Sequence, residues 1–266
     1  MNNNPIGIFD SGIGGLSTLK ELRRQLPHEN FIYIADLAWS PYGNKSIELL
    51  QQRAEALCQF LLKRQVKAIV IACNTATAAA INSLRDNYSL PIIGVEPGIK
   101  PAISKTLSGI VAILATERTI GSEKFQLLLQ QFHGQTRIVL QACPGLADAI
   151  EGGQWQRPQR AALLAQFIPP LLAQGVDTLV LGCTHYPLIA DEIRAVIPES
   201  VELIDTSAAI ARQVVSKLAL NNILNPSQVD GQAEFFSSSF SPASAADLNE
   251  VFSWYLGHPA TVNPLH

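Results

Sequence analysis

Along the first third of the chain, short apolar runs alternate with longer amphipathic ones. IGIF (Ile6–Phe9) precedes LSTLKELRRQL, NFIYIAD precedes SIELLQQRAEALCQFLLKR, AIVIACN precedes ATAAAINSLRDNY, and PIIGV closes the series at Val95. The short runs are rich in β-branched residues and read as strands buried on both faces. The longer runs repeat their apolar residues at helical spacing. Ile47, Leu50, Ala54, Leu57, Cys58 and Leu61, for example, form one stripe. Such alternation predicts a parallel sheet covered by helices.

The second half restarts the pattern. GIVAILAT, TRIVLQAC, VDTLVLGC and VELID read as strands, with SEKFQLLLQQF, PQRAALLAQFIPPLLAQG and PLIADEIRAVI as the helices between them. Setting VKAIVIACNTATAAAI, from Val66, against VDTLVLGCTHYPLIAD, from Val176, superposes Cys73 on Cys183 at an offset of 110 residues. The next strands, ending near Glu96 and at Asp205, agree at about the same offset. Two strands and a cysteine at one spacing point to an internal duplication.

The expected fold is therefore α/β: two facing, pseudo-symmetric lobes, each a mostly parallel sheet covered by helices. EPGIKPAISK, around Pro97 and Pro101, has the residues of a crossing between lobes, and DTSAAIARQVV at 205–215 offers the return. After Asn221 the chain turns polar (NPSQVDG), then gives one alternating strand, AEFFSSS, and a last helix, AADLNEVFSWYLG. That tail is too small for a domain and is assigned to the first lobe. The expected division is 1–97 plus 207–266 against 98–206, with the active site in the cleft between the lobes.

Composition narrows the class without naming a chemistry. The 266 residues are 47% hydrophobic and 15% charged, which suits a globular protein with much of its sheet buried. A net charge of -3 and the absence of Lys/Arg blocks give no footprint for nucleic acid or an anionic membrane. No run is apolar for long enough to span a bilayer, and MNNNP passes straight into a strand with no secretory pattern. The four cysteines, at 58, 73, 143 and 183, lack the paired short spacings of a zinc site or a CxxC motif, so a cytoplasmic protein with free thiols is expected.

Candidate chemistry gathers at strand ends, where ligands of open α/β sheets bind. FDSGIGGLS resembles a dinucleotide fingerprint, but Ser17 stands where the third glycine belongs. Asp10 puts a negative charge where a phosphate would need donors, so it suits an ammonium or a proton-transfer partner, with a turn or capping aspartate as the plain alternative. In WSPYGNKS, Pro41 and Gly43 mark a tight loop holding Tyr42. Cys58 belongs to a helix stripe and reads as core, and Cys143 ends a strand without a counterpart in the repeat. Cys73 and Cys183 differ: each ends a buried strand and each is followed by hydrogen-bonding residues, Asn74 and Thr75 or Thr184 and His185. A thiol has a pKa of about 8.5 that a helix N-terminus or a cation lowers. Two such thiols on opposite sides of one carbon could take a proton from one face and deliver one to the other, giving the mirror image.

DSGIGG, PYG, ACNTA and GCTHYPL in this order, with PIIGVEPGIKPA, ATERTIGS and the FFSSS and WYLG tail, resemble the glutamate racemases of the cofactor-independent aspartate/glutamate racemase superfamily over essentially the whole chain. The resemblance implies that Cys73 and Cys183 are the catalytic acid/base thiols, assisted by Asp10 and His185, with Glu151 of AIEGG a further candidate. It implies substrate binding by Asp10, Ser11, Tyr42, Gly43, Asn74, Thr75, Thr116, Thr184 and His185. It further implies no pyridoxal phosphate, metal or other cofactor, a homodimer, and supply of D-glutamate for peptidoglycan. Leu37, Trp39 and Ala115 stand where the family pattern leads one to expect threonine, arginine and glycine. An aspartate or broad-specificity racemase, or a two-lobed binding protein without catalysis, are the alternative readings. A secondary role such as gyrase inhibition finds no support in this acidic sequence.

Overall fold

In the computed structural model, residues 3–265 are described apart from 97, 133, 135, 242 and 243; Pro97, assigned above to a crossing, therefore lies outside the described residues. Internal contacts divide the chain into two units, Met1–Val95 with Ser207–His266, and Glu96–Thr206. The first begins with β1 (Ile6–Asp10), α1 (Leu16–Gln25), β2 (Phe31–Ala35), α2 (Ile47–Lys63), β3 (Ala68–Ile71), α3 (Asn74–Asn87) and β4 (Ile92–Gly94). The second runs through α4 (Ile99–Lys105), β5 (Ile110–Ala115), α5 (Glu117–Gly121), α6 (Glu123–Gln130), β6 (Arg137–Ala142), α7 (Leu146–Glu151), α8 (Arg157–Phe167), α9 (Pro169–Leu172), β7 (Thr178–Leu181), α10 (Ala190–Arg194) and β8 (Glu202–Ile204). The chain then returns to the first unit with α11 (Ser207–Leu220), β9 (Ala233–Ser237), α12 (Ala245–Leu256) and β10 (Val262–Pro264).

The sheets have the orders β10-β9-β2-β1-β3-β4 and β6-β5-β7-β8, and every pair is parallel. The run β2-β1-β3-β4 of the first thus recurs as β6-β5-β7-β8 in the second. β7 and β8 each lie 110 residues beyond β3 and β4, the offset that aligns the two cysteines. The central strands β1, β3, β5 and β7 are buried almost throughout, as strands flanked by crossover helices must be.

Several elements differ from the sequence expectation, each for a local reason. The helix expected over 158–175 breaks into α8 and α9, because Pro169 and Pro170 cannot donate N–H groups to the turn before them. The helix expected over 187–197 shortens to a 3-10 turn at Tyr186–Ile189 followed by α10. ATERTIGS forms a short helix of its own, α5, started by Thr116. The segment 205–215 is mostly α11, packed against α1, rather than a loop. β9 does not alternate: Phe235, Phe236 and Ser237 are buried in succession, because helices cover both faces, with Phe235 against Phe252 of α12 and Phe236 against Phe60 of α2. β10, three residues long and containing Pro264, escapes detection by pattern. In α2, Ser46 accepts from the Leu49 N–H (3.2 Å) as the N-cap, and Leu50, Ala54, Leu57, Cys58 and Leu61 are buried. Ile47 leaves the expected stripe; in the exposed first turn it is 52% accessible.

Candidate functional site

In the first unit the candidate residues converge where β1 and β3 end. The ladder continues one step past β3, with the Ala72 N–H donating to the Phe9 carbonyl (2.9 Å), and Cys73 follows as the N-cap of α3. Its sulfur accepts from the Ala76 N–H at 3.5 Å. A sulfur so placed faces the positive end of a fourteen-residue helix, which favours the thiolate. The Cys73 thiol also lies 3.8 Å from Ser11 Oγ, and the Ser11 hydroxyl donates to Asp10 Oδ1 at 3.4 Å. Asp10, fully buried at the tip of β1, accepts a further bond from the Gly12 N–H (3.0 Å). Asn74 and Thr75 open α3 and are both buried, and Asn74 Oδ1 has no hydrogen-bond partner among the described residues.

The Tyr42–Gly43 loop is held by residues that sequence reasoning did not select. Asp36, fully buried just past β2, accepts from the Tyr42 hydroxyl (2.5 Å) and receives both arms of the Arg53 guanidinium at 2.6 and 3.0 Å. Arg53 in turn lies over the Trp39 ring, 4.9 Å from its centroid. Burial, reinforced by the Asp36 charge, its hydrogen bond and the Cys73 charge, pushes the Tyr42 hydroxyl far above its ordinary range, so it stays a donor. The available signal was that FIYIAD, like IGIFD, ends a buried strand on an aspartate.

In the second unit Cys183 occupies the corresponding place two residues past β7. The Gly182 N–H donates to the Leu114 carbonyl (2.7 Å), and a Cβ at Gly182 would sit 2.8 Å from that same oxygen, so this close strand approach excludes every other residue. No long helix follows Cys183. Its sulfur instead lies 3.7 Å from His185 Nδ1, and His185 Nε2 is 2.6 Å from Glu151 Oε1. Burial on its own would lower the His185 pKa. The Glu151 charge and the hydrogen bonds that the ring makes with Cys183 and Glu151 outweigh burial and hold the pKa well above the ordinary imidazole value, which favours the imidazolium. Thr184 is buried beside it. Thr116, at the tip of β5, uses its hydroxyl to cap α5, accepting from the Thr119 N–H at 3.2 Å.

The other two cysteines separate from this pair. Burial, with the charge of Glu55 added, raises the Cys58 thiol to about 12, as befits a core residue. Cys143 has a counterpart after all, contrary to the sequence reading: its N–H donates to the Ala115 carbonyl as the Asp36 N–H donates to the Asp10 carbonyl, both at 3.0 Å. The repeat was invisible there because an aspartate faces a cysteine. Burial and the neighbouring Cys183 raise the Cys143 thiol to about 12, so it is a neutral packing group. No disulfide joins any of the four cysteines among the described residues, and no cluster of three or more His, Cys, Asp or Glu side chains able to hold a metal ion occurs among them.

The sequence profile described as Asp/Glu/Hydantoin racemase matches residues 6–214, most of the chain. The chain belongs to that racemase family. Among these racemases, the glutamate racemase of Herpetosiphon aurantiacus is 46% identical over 250 residues, covering 94% of this chain and 98% of the relative. That of Pseudomonas aeruginosa is 42% identical over 261 residues, covering 98% and 97%. Among solved racemase structures, a glutamate racemase isoform of Bacillus anthracis superposes with a TM-score of 0.88 at 31% identity, covering 100% of this chain and 98% of that one. The Escherichia coli glutamate racemase, solved with L-glutamate and the activator UDP-MurNAc-Ala, gives 0.84 at 32% identity and 98% coverage of both chains. Like its relatives, the family member described here is an isomerase. No helix among its described residues is long and apolar enough to cross a membrane.

Proposed function

We propose that this racemase interconverts L- and D-glutamate by two-base proton transfer, with Cys73 and Cys183 as the two bases. The observation that carries the reading is the equivalence of the two cysteines. Each stands two residues past a central strand of a repeated sheet, and each has its own polarising group, the α3 N-terminus or His185. The relatives named above, and the L-glutamate in one of their structures, support glutamate as substrate.

In the forward direction one thiolate removes the Cα proton while the opposite thiol supplies a proton to the other face, so the enzyme finishes with the two protonation states exchanged. No electron sink is invoked, so donors aimed at the substrate carboxylate must stabilise the carbanionic transition state. In this reading Thr75, Thr184 and the N–H groups opening α3 supply them, and buried Asn74 Oδ1 is an acceptor suited to the substrate ammonium. Asp10 and His185 assist at their respective thiols, Glu151 holds His185, and Ser11, Tyr42, Gly43 and Thr116 complete the binding set. The reading includes a homodimer in the cytoplasm providing D-glutamate for peptidoglycan.

The test is incubation with L-glutamate in deuterated water without added cofactor, following circular dichroism and Cα deuterium together. Wild type should lose optical activity as deuterium enters, and Cys73→Ala or Cys183→Ala should each slow inversion by at least ~10³-fold. A wild type that exchanges and inverts aspartate but not glutamate would overturn the substrate assignment. Retained inversion in either alanine variant would overturn the two-thiol mechanism.

A further inference from the structure

Glu151 lies at the end of a six-residue helix, followed by two glycines, and a carboxylate on such a segment has little of its own to fix its aim. Gly153 adopts φ +63°, a left-handed turn that favours glycine, just past the end of α7. The group that donates to carbonyls on both sides of Glu151 is Arg160, on α8, which is completely buried. Its Nη1 donates to the Ala149 carbonyl (3.2 Å) and to the Gly153 carbonyl (2.5 Å), one two residues before Glu151 and the other two residues after it. Its Nε and Nη2 form a forked pair with Glu192, at 3.0 and 2.7 Å. Glu192 is on α10, reached from His185 through the single 3-10 turn Tyr186–Ile189. One guanidinium therefore grips the turn that carries Glu151 and the segment that carries His185.

We infer that Arg160 is a positioning residue for the reaction: through Glu192 and the Ala149 and Gly153 carbonyls it holds Glu151 at hydrogen-bonding distance from His185, and so keeps His185 aligned on Cys183. A planar five-donor fork can hold two carbonyls and a carboxylate at fixed angles, whereas a lysine ammonium cannot. Small displacements of a group that aligns a proton-transfer partner cost rate rather than substrate affinity. This inference rests on the proposed role of the Cys183–His185–Glu151 set.

Full-length Arg160→Lys, Glu151→Gln and the double variant should be compared for kcat and KM with L-glutamate. Arg160→Lys is expected to lower kcat about tenfold with KM within about twofold. In the Glu151→Gln background the same substitution should lower kcat by less than about twofold, because the group it positions has already been disabled. Equal fold losses in both backgrounds would overturn the inference, as would a folded Arg160→Lys with the wild-type kcat. Should Arg160→Lys not fold, Glu192→Gln, which keeps the guanidinium and its carbonyls, takes its place in the cycle with an expected threefold loss that vanishes beside Glu151→Gln; a loss that persists there counts against the inference. A second readout needs no turnover: the downfield ring-proton resonance of His185 Nε2–H, assigned by its loss in His185→Gln. It should shift or broaden in Arg160→Lys as in Glu151→Gln, and an unmoved resonance overturns the inference. A wild type inactive on glutamate whose resonance still responds to Arg160→Lys would sink the proposed function alone.

Discussion

Cys73 and Cys183 stand at equivalent points of a repeated sheet, yet the two halves polarise their thiols by different means. Around Cys73 the field is backbone: a helix of fourteen residues points its N-terminus at the sulfur, and a neutral hydroxyl, Ser11, links it to Asp10. Around Cys183 the following helix is replaced by a 3-10 turn, and a charged side chain takes over, the imidazolium of His185 backed by Glu151. A helix dipole is built into the fold and does not titrate in the working pH range, whereas an imidazolium–carboxylate pair can be lost to a single substitution or to pH. The repeat thus conserves the position of the thiol and leaves open how it is tuned.

The sharpest way to break this contrast is to remove the side-chain partner on each side. His185→Gln should lower kcat by about 100-fold, because Cys183 has no long helix to fall back on, while Ser11→Ala should cost about tenfold or less. Equal losses would show that the α3 dipole matters less than the geometry implies. The same histidine gives the comparison a pH signature. Its folded-state pKa is raised above the unfolded value of about 6.5. Its contribution to stability is therefore complete below that value and lost as pH rises through the folded pKa. Glu151 from α7 and Cys183 face the ring, with Tyr186 and Cys143 alongside the thiol. Urea unfolding should show wild type exceeding His185→Gln by more at pH 6 than at pH 10; a pH-independent gap would argue against an imidazolium.

A smaller effect is expected on the Cys73 side. Tyr42→Phe deletes the donor to buried Asp36 and should cost about 2 kcal/mol in denaturant unfolding, with Arg53 left to satisfy the carboxylate. The smallest effect serves as a control within the second unit. Asp177 precedes β7, at the opposite end of that strand from Cys183. Burial tends to raise its pKa, but hydrogen bonds from Thr106, the Ser108 and Leu107 N–H groups and Thr178 prevail and bring it to about 2. Asp177→Asn should lower Tm by about 2–4 °C at neutral pH, with the difference fading as pH falls from about 4 toward 2, while kcat stays at the wild-type value. A fall in kcat would mean that strand stability, not thiol environment, limits the second half of the site.

The parallel sheets and the cysteine pair were legible in sequence because both rest on local pattern: buried strands are short apolar runs, and a duplicated strand keeps its spacing. Asp10, Asn74, Thr75, Thr184 and His185 lie within two residues of a strand end or cysteine and were found on that ground, whereas Ser11 came from the family resemblance alone. Asp36 was passed over although it ends a strand, because nothing local says that Arg53 and Tyr42 will meet it. Arg160 and Glu192 are thirty-two residues apart in short helices, and only the packed unit brings them together. The boundaries of α8 and α9 turned on two prolines inside an apolar run, whose missing donors break the helix that periodicity alone would continue.

The return of the chain to its first sheet bears on how the protein is made. β9 and β10 come from the last part of the sequence, and β9 pairs with β2 along its full length, from Ala233 against Phe31 to Ser237 against Ala35. A ribosome delivers Glu96–Thr206 as one uninterrupted stretch, complete before β9 leaves the exit tunnel, while β2 waits as a bare sheet edge. Chains cut short by a premature stop before Ala233 would keep both cysteines and every candidate residue discussed above, and still carry that open edge into the cell, where other chains can pair with it.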